Sequence, residues 1–108
     1  MPKFTAIGYG DHAGYDRTPE AVRQAAHAHD DALVQRGAVR GIAATPVQVR
    51  NHENAGVQTE TGPFRSAKLP VAGFSILDAK DIYEAIEQVA ETPCAVAHGV
   101  VELQPWKE

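Results

Sequence analysis

The most apolar stretch of the chain runs from Leu69 to Leu77. There Leu69, Val71, Ala72, Phe74, Ile76 and Leu77 put apolar side chains on both sides of an extended strand, because successive residues point to opposite faces. A strand greasy on both faces belongs inside a sheet with a cover on each side. Gly62-Pro63 predicts a turn ahead of it, since proline fixes its own φ and pushes the preceding residue out of the helical region. Pro70 marks where the strand begins.

The remaining pattern falls around that strand. Lys3 to Gly8 reads as a first strand, followed by a glycine-bearing loop, G-Y-G-D-H-A-G. Thr18-Pro19-Glu20 opens a helix, with Thr18 as N-cap, Pro19 at the tolerated first position and an acid in the positive first turn. It runs to about Arg36, where Gly37 closes it. At 100° per residue, Val22, Ala26, His29 and Leu33 form one stripe flanked by Ala25 and Ala32, so His29 faces the core while His27 and Asp31 face solvent. Ala38 to Ala44 predicts a second strand, and Val47 to Arg50 with Val57 to Thr61 an exposed hairpin around N-H-E-N-A-G. After the apolar strand, Asp78 is placed to cap a helix carrying Ile82, Ala85, Ile86 and Val89, which Thr92-Pro93 stops. Gly99 to Gln104 is the last strand.

The order β-α-β, hairpin, β-α-β predicts an α+β fold of ferredoxin-like type: a single domain over residues 1–108, with an antiparallel sheet and two helices on one face. The other sheet face must then meet water or a second chain. The two-faced apolar strand favours a homodimer joined through the sheets.

At 108 residues the chain buries a core without staples, and its single cysteine, Cys94, allows no internal disulfide. A net charge of -4 without a basic stripe argues against nucleic acid as partner. No apolar run reaches the roughly 18 to 20 residues needed to span a bilayer, so no membrane partner is expected. The start, M-P-K-F-T-A, lacks the parts of a signal peptide. Cytoplasmic localisation follows as the expectation.

The segment T-G-P-F-R-S-A-K-L-P-V-A-G-F-S-I-L-D-A, with E-A-I-E, T-P and G-V-V-E-L-Q-P after it, resembles the YCII-related family in its DGPF-motif branch. The resemblance covers nearly the whole chain and implies a ferredoxin-like fold and a dimer. The branch pattern D-G-P-F-x-E-x-K-E is kept at Gly62, Pro63, Phe64 and Lys68, but Thr61, Ser66 and Leu69 stand where acids would. The family's proposed His-Asp pair has Thr92 at its aspartate position, and its histidine falls near Ala26. That dyad is not carried over.

His29 is the first catalytic candidate, as a titratable ring able to act as acid or base near neutral pH, against the alternative that it packs with a hydrogen bond. Lys68 is the second, able to orient an anionic substrate group, against the alternative of a surface lysine. Arg65, Phe64 and His12 are candidate ligand contacts, although Phe64, with Phe74 and Tyr83, reads most simply as a core or dimer contact. No cofactor is implied, because G-Y-G-D-H-A-G misses the dinucleotide-binding spacing. No metal site is implied either: His27 and His29 diverge by about 160° on a helix. Two functions stay open. One is a small enzyme handling a polar or aromatic metabolite by acid-base chemistry, with His29 and Lys68 in one cleft. The other is a non-catalytic ligand-binding or accessory module of the same fold.

Overall fold

The computed structural model describes residues 1–107. Strand β1 (Lys3–Tyr9) leads into a short helix α1 (His12–Asp16) and a long helix α2 (Glu20–Gln35), followed by β2 (Val39–Ile42). Next come the hairpin strands β3 (Val47–Arg50) and β4 (Gln58–Thr61), then β5 (Val71–Asp78), α3 (Ile82–Val89), α4 (Pro93–Val96) and β6 (Val100–Pro105). Four strands form one antiparallel sheet in the order β2-β5-β1-β6; β3 and β4 pair only with each other. The fold is α+β.

Register explains how the sheet is covered. Phe4 pairs with Leu77 and Ala6 with Ser75, so these residues share the face on which Phe4, Ala6 and Leu77 are buried with Ala79, Ala85 and Val89. Both long helices lie over this face. Leu33 of α2 is buried, Arg40 of β2 reaches Asp30 and Asp31 of α2 at 2.7 Å each, and His29 of α2 joins the end of α3. The other face carries Thr5 and Ile7 of β1, Phe74 and Ile76 of β5, and Val39 and Gly41 of β2. At its β1–β6 end the Trp106 indole donates to Thr5 Oγ1 at 2.7 Å and Arg65 reaches Tyr9 and Glu102; over Val39, Phe74 and Ile76 no helix or strand of the chain is laid among the described residues. Leu77 is 3% exposed and its strand neighbour Phe74 51%, so within one chain the apolar strand is covered on one face only. The strand is interior to the sheet, as its pattern predicts. Its second cover is missing because both helices are spent on the first face.

Other local expectations change for identifiable reasons. Thr18 does not cap α2: its hydroxyl is buried and donates to Gly14 O at 2.8 Å, closing α1, and α2 starts after Pro19 without a side-chain cap. The expected loop after β1 contains α1, whose N-cap is Asp11 accepting from Gly14 N at 2.8 Å. Asp78 ends β5 and pairs with Lys3 Nζ at 2.9 Å, while Asp81 caps α3 by accepting from Glu84 N at 2.9 Å. Gly37 does close α2, at φ 110°. Tyr83 and Phe64 are 74% and 79% exposed and belong to no core.

Glycine fixes where α4 sits. A Cβ built on Gly8 of β1 would stand 2.7 Å from Cys94 Sγ, so the bare backbone at Gly8 is what lets α4 drop onto the sheet. Gly8→Ala should destabilise the chain by about 1–3 kcal/mol through overpacking. Cys94→Gly in the same chain should recover part of that loss, whereas Cys94→Gly alone should not stabilise. Chemical denaturation of the four variants checks the coupling; additive losses would contradict it.

Candidate ligand-binding site

The turn between β4 and β5 folds back over one end of the sheet's uncovered face, and Arg65 ties it there. Its guanidinium donates to both carboxylate oxygens of Glu102 on β6, at 2.5 and 3.1 Å, and to the Tyr9 hydroxyl at 2.8 Å. Tyr9 in turn donates to Glu102 Oε1 at 3.1 Å. The three side chains meet because β1 and β6 pair with Ile7 opposite Glu102 and Tyr9 opposite Val100, which puts Tyr9 and Glu102 on the same face as diagonal neighbours. A bidentate arginine-carboxylate contact is the strongest geometry such a pair adopts. Hydrogen bonding to Arg65, and then to Tyr9, holds the Glu102 carboxyl below the usual carboxylate range, and Glu102 correspondingly raises Arg65.

Beside this triad lies a cleft of about 890 Å³ lined by Tyr9, Arg65, Lys68, Leu69, Val100 and Glu102. Its walls are mainly apolar. The positive charge of Arg65 is matched by Glu102. Lys68 is exposed, and among the described residues its ammonium makes no ion pair or hydrogen bond. The free cation in this cleft is therefore Lys68, not Arg65. Tyr9 and Glu102 were not candidates in the sequence, although a charge inside V-V-E-L and an aromatic between two glycines were visible signals.

The sequence candidates are spread over separate places. His29 sits where α2 meets the end of α3: its Nε2–H donates to the Gln88 carbonyl at 2.7 Å, and its Nδ1 stands 3.6 Å from Glu91 Oε2. It lines a groove of about 690 Å³ with Leu33, Ala38, Leu77, Asp78 and Glu84 on the helix side of the sheet. Lys68 lines no part of that groove, and His29 none of the Lys68 cleft. The single cleft expected to hold both is thus not formed. A ring nitrogen bonded to a main-chain carbonyl fits the hydrogen-bonded packing alternative. His27 is exposed, as its wheel position predicts, but its Nε2 meets the Tyr15 hydroxyl at 2.9 Å, and Asp31 pairs with Arg40.

Phe64 lies over the Arg50 guanidinium, 5.7 Å from ring centroid to carbon, in a cleft of about 360 Å³ beside the hairpin. His12 is exposed at the start of α1. Neither lines the Lys68 cleft; of the three ligand candidates only Arg65 does. Cys94 is half-buried and desolvation pushes its thiol up, away from the reactive thiolate form. Among the described residues no three or more His, Cys, Asp and Glu side chains gather as metal ligands, and no helix is long and apolar enough to cross a membrane.

In comparisons with known proteins, no family model matches the chain and no curated protein matches it.

The Arg65–Glu102 contact has a pH signature. Because the folded carboxyl is held below its unfolded value, its contribution is complete above the ordinary carboxylate range and is lost only as pH falls through the lower folded value. Carbon-detected NMR titration of Glu102 should place its midpoint below that of the same residue in the unfolded chain. Arg65→Met should raise that midpoint toward the ordinary carboxylate range, with the Tyr9 hydroxyl still bonded to the carboxylate. A Glu102 midpoint that Arg65→Met leaves unmoved would contradict the contact.

Proposed function

We propose that the chain is a YCII-related, ferredoxin-like protein that works as a homodimer and binds a small molecule in the Lys68 cleft. The ligand carries an anionic group on an apolar or aromatic body. What carries this reading is one observation: an ammonium with no partner among the described residues, lining a large, mainly apolar cleft whose other cation is already matched by Glu102. The anion meets Lys68, and the body of the ligand lies along Leu69 and Val100 with the Tyr9 ring as a further wall. The Tyr9–Arg65–Glu102 triad acts as a strap that holds the turn, and with it Lys68, at a fixed distance from the sheet.

The sheet order β2-β5-β1-β6, with both long helices over one face, supports the ferredoxin-like reading. The uncovered apolar face supports the dimer. Of the two functions open in the sequence, the binding module is the better supported, since His29 has its Nε2 engaged and stands apart from the unpaired lysine. No role in the cleft is assigned to His29.

Benzoate and phenylacetate, each against its uncharged amide, are suitable probes. Titration followed by amide NMR should show shifts at Tyr9, Lys68 and Val100 with the acids and not with the amides. Lys68→Met should weaken binding about tenfold, the loss of one charge contact of ~1.4 kcal/mol. His29→Phe should leave binding unchanged. Equal binding of acid and amide, or a loss confined to the His29 variant, would overturn the assignment.

A further inference from the structure

The hairpin β3–β4 is amphipathic, and its two faces are treated differently. The register pairs Val47 with Thr61 and Val49 with Thr59, placing these β-branched residues on one face, while Gln48, Arg50, Gln58 and Glu60 occupy the other. The polar face is cross-linked by its own side chains: Arg50 donates to Gln48 Oε1 at 2.8 Å, Gln48 donates to Gly62 O at 3.1 Å, and Phe64 lies over Arg50. Among the described residues nothing buries the apolar face. Val47, Val49 and Val57 are 58%, 65% and 68% exposed. An isolated two-stranded hairpin is marginal in water without a surface to bury its apolar side, and this one pairs with no other strand.

The same molecule holds a second uncovered apolar surface of similar size. Val39, Phe74 and Ile76 stand on the bare sheet face, with the Phe74 ring lying across Gly41, where a Cβ would meet it at 2.8 Å. Neither surface carries a charged residue; the charges of the bare face, Glu102 and Arg65, lie toward β6 and neutralise each other. The six side chains together expose on the order of 600 Å², against the ~800 Å² that each partner buries in a standard-size interface. The arm stands off the body, since β3 and β4 pack closely against each other and against no other strand or helix. The hairpin leaves the sheet next to β2, where Ala43 N donates to Ala72 O, so it emerges at the edge of the surface in need of a cover.

We infer that β3–β4 is an exchanged arm: its valine face closes over the bare sheet face of a second copy, around Val39, Phe74 and Ile76, and receives the reciprocal contact. The inference rests on the homodimer reading and adds which segment makes the contact. Two uncharged surfaces of matching area on one chain are self-complementary, which a two-fold interface requires, because each patch must find its counterpart on an identical copy. A foreign partner would have to present both shapes itself. The strap at Arg65 belongs to the same device, since the 62–70 turn that it holds also joins the arm to β5.

A mixed sample tests the contact directly. Chains with a spin label at Ala55→Cys, in a Cys94→Ser background, are combined with isotope-labelled chains that carry no label. Broadening of the Gly41, Phe74 and Ile76 amides of the labelled-isotope chain is expected. Light scattering should give a dimer mass for the unmodified chain, and Val49→Lys, at an exposed position, should raise the dimer dissociation constant at least about tenfold while leaving the circular dichroism unchanged. A dimer that ignores Val49→Lys and shows no intermolecular broadening would overturn the arm and leave the dimer standing. A monomer mass for the unmodified chain at high concentration would overturn both.

Discussion

A sheet whose interior strand β5 is apolar on both faces, but whose helices cover only one, constrains the rest of this molecule. Side-chain alternation is fixed by the backbone, so each strand that sends Leu77 or Phe4 into the helix layer sends Phe74, Ile76 or Thr5 to the other side. The helix layer is complete: α2 and α3 are tied by His29 to Gln88, α4 rests on Gly8, and Arg40 anchors β2 under α2. Among the described residues no further helix or strand covers Val39, Phe74 and Ile76 on the second face.

Location of the candidate site follows from that asymmetry. The helix side holds His29, whose engaged ring serves cohesion between two helices. The uncovered side holds Tyr9 and Glu102, and onto it the 62–70 turn brings Arg65 and Lys68. Two positive side chains three residues apart take opposite roles because only one has a carboxylate across from it: Arg65 fastens the turn and Lys68 is left available. A ligand bound there would lie at the rim of the bare face, so if the proposed second copy closes that face, binding and assembly are linked.

The strands and the two long helices were legible in the sequence because period and punctuation agreed: proline and glycine at Gly62-Pro63, Gly37 past α2, and the i, i+3, i+4 spacing of α3. What was not legible depends on choices between equivalent local signals. Asp78 and Asp81 are both good caps, and only the end of pairing between β1 and β5 decides for Asp81. Thr18 had two places for its hydroxyl, and it closes α1 on Gly14 O rather than capping α2. The triad was invisible for a different reason. Its members come from positions 9, 65 and 102, and only strand register brings them together. His29 was placed correctly on the inner stripe, but whether an inward ring works or packs depends on what faces it across α3.

The concentration dependence of thermal unfolding tests the central claim, that the bare sheet face is closed by another copy of the chain. If folding and association share that face, the midpoint must rise with protein concentration, because mass action favours the assembled state. Over a roughly hundredfold range of concentration a single transition should shift steadily upward. A midpoint that stays fixed over that range, with a monomer mass throughout, would contradict it.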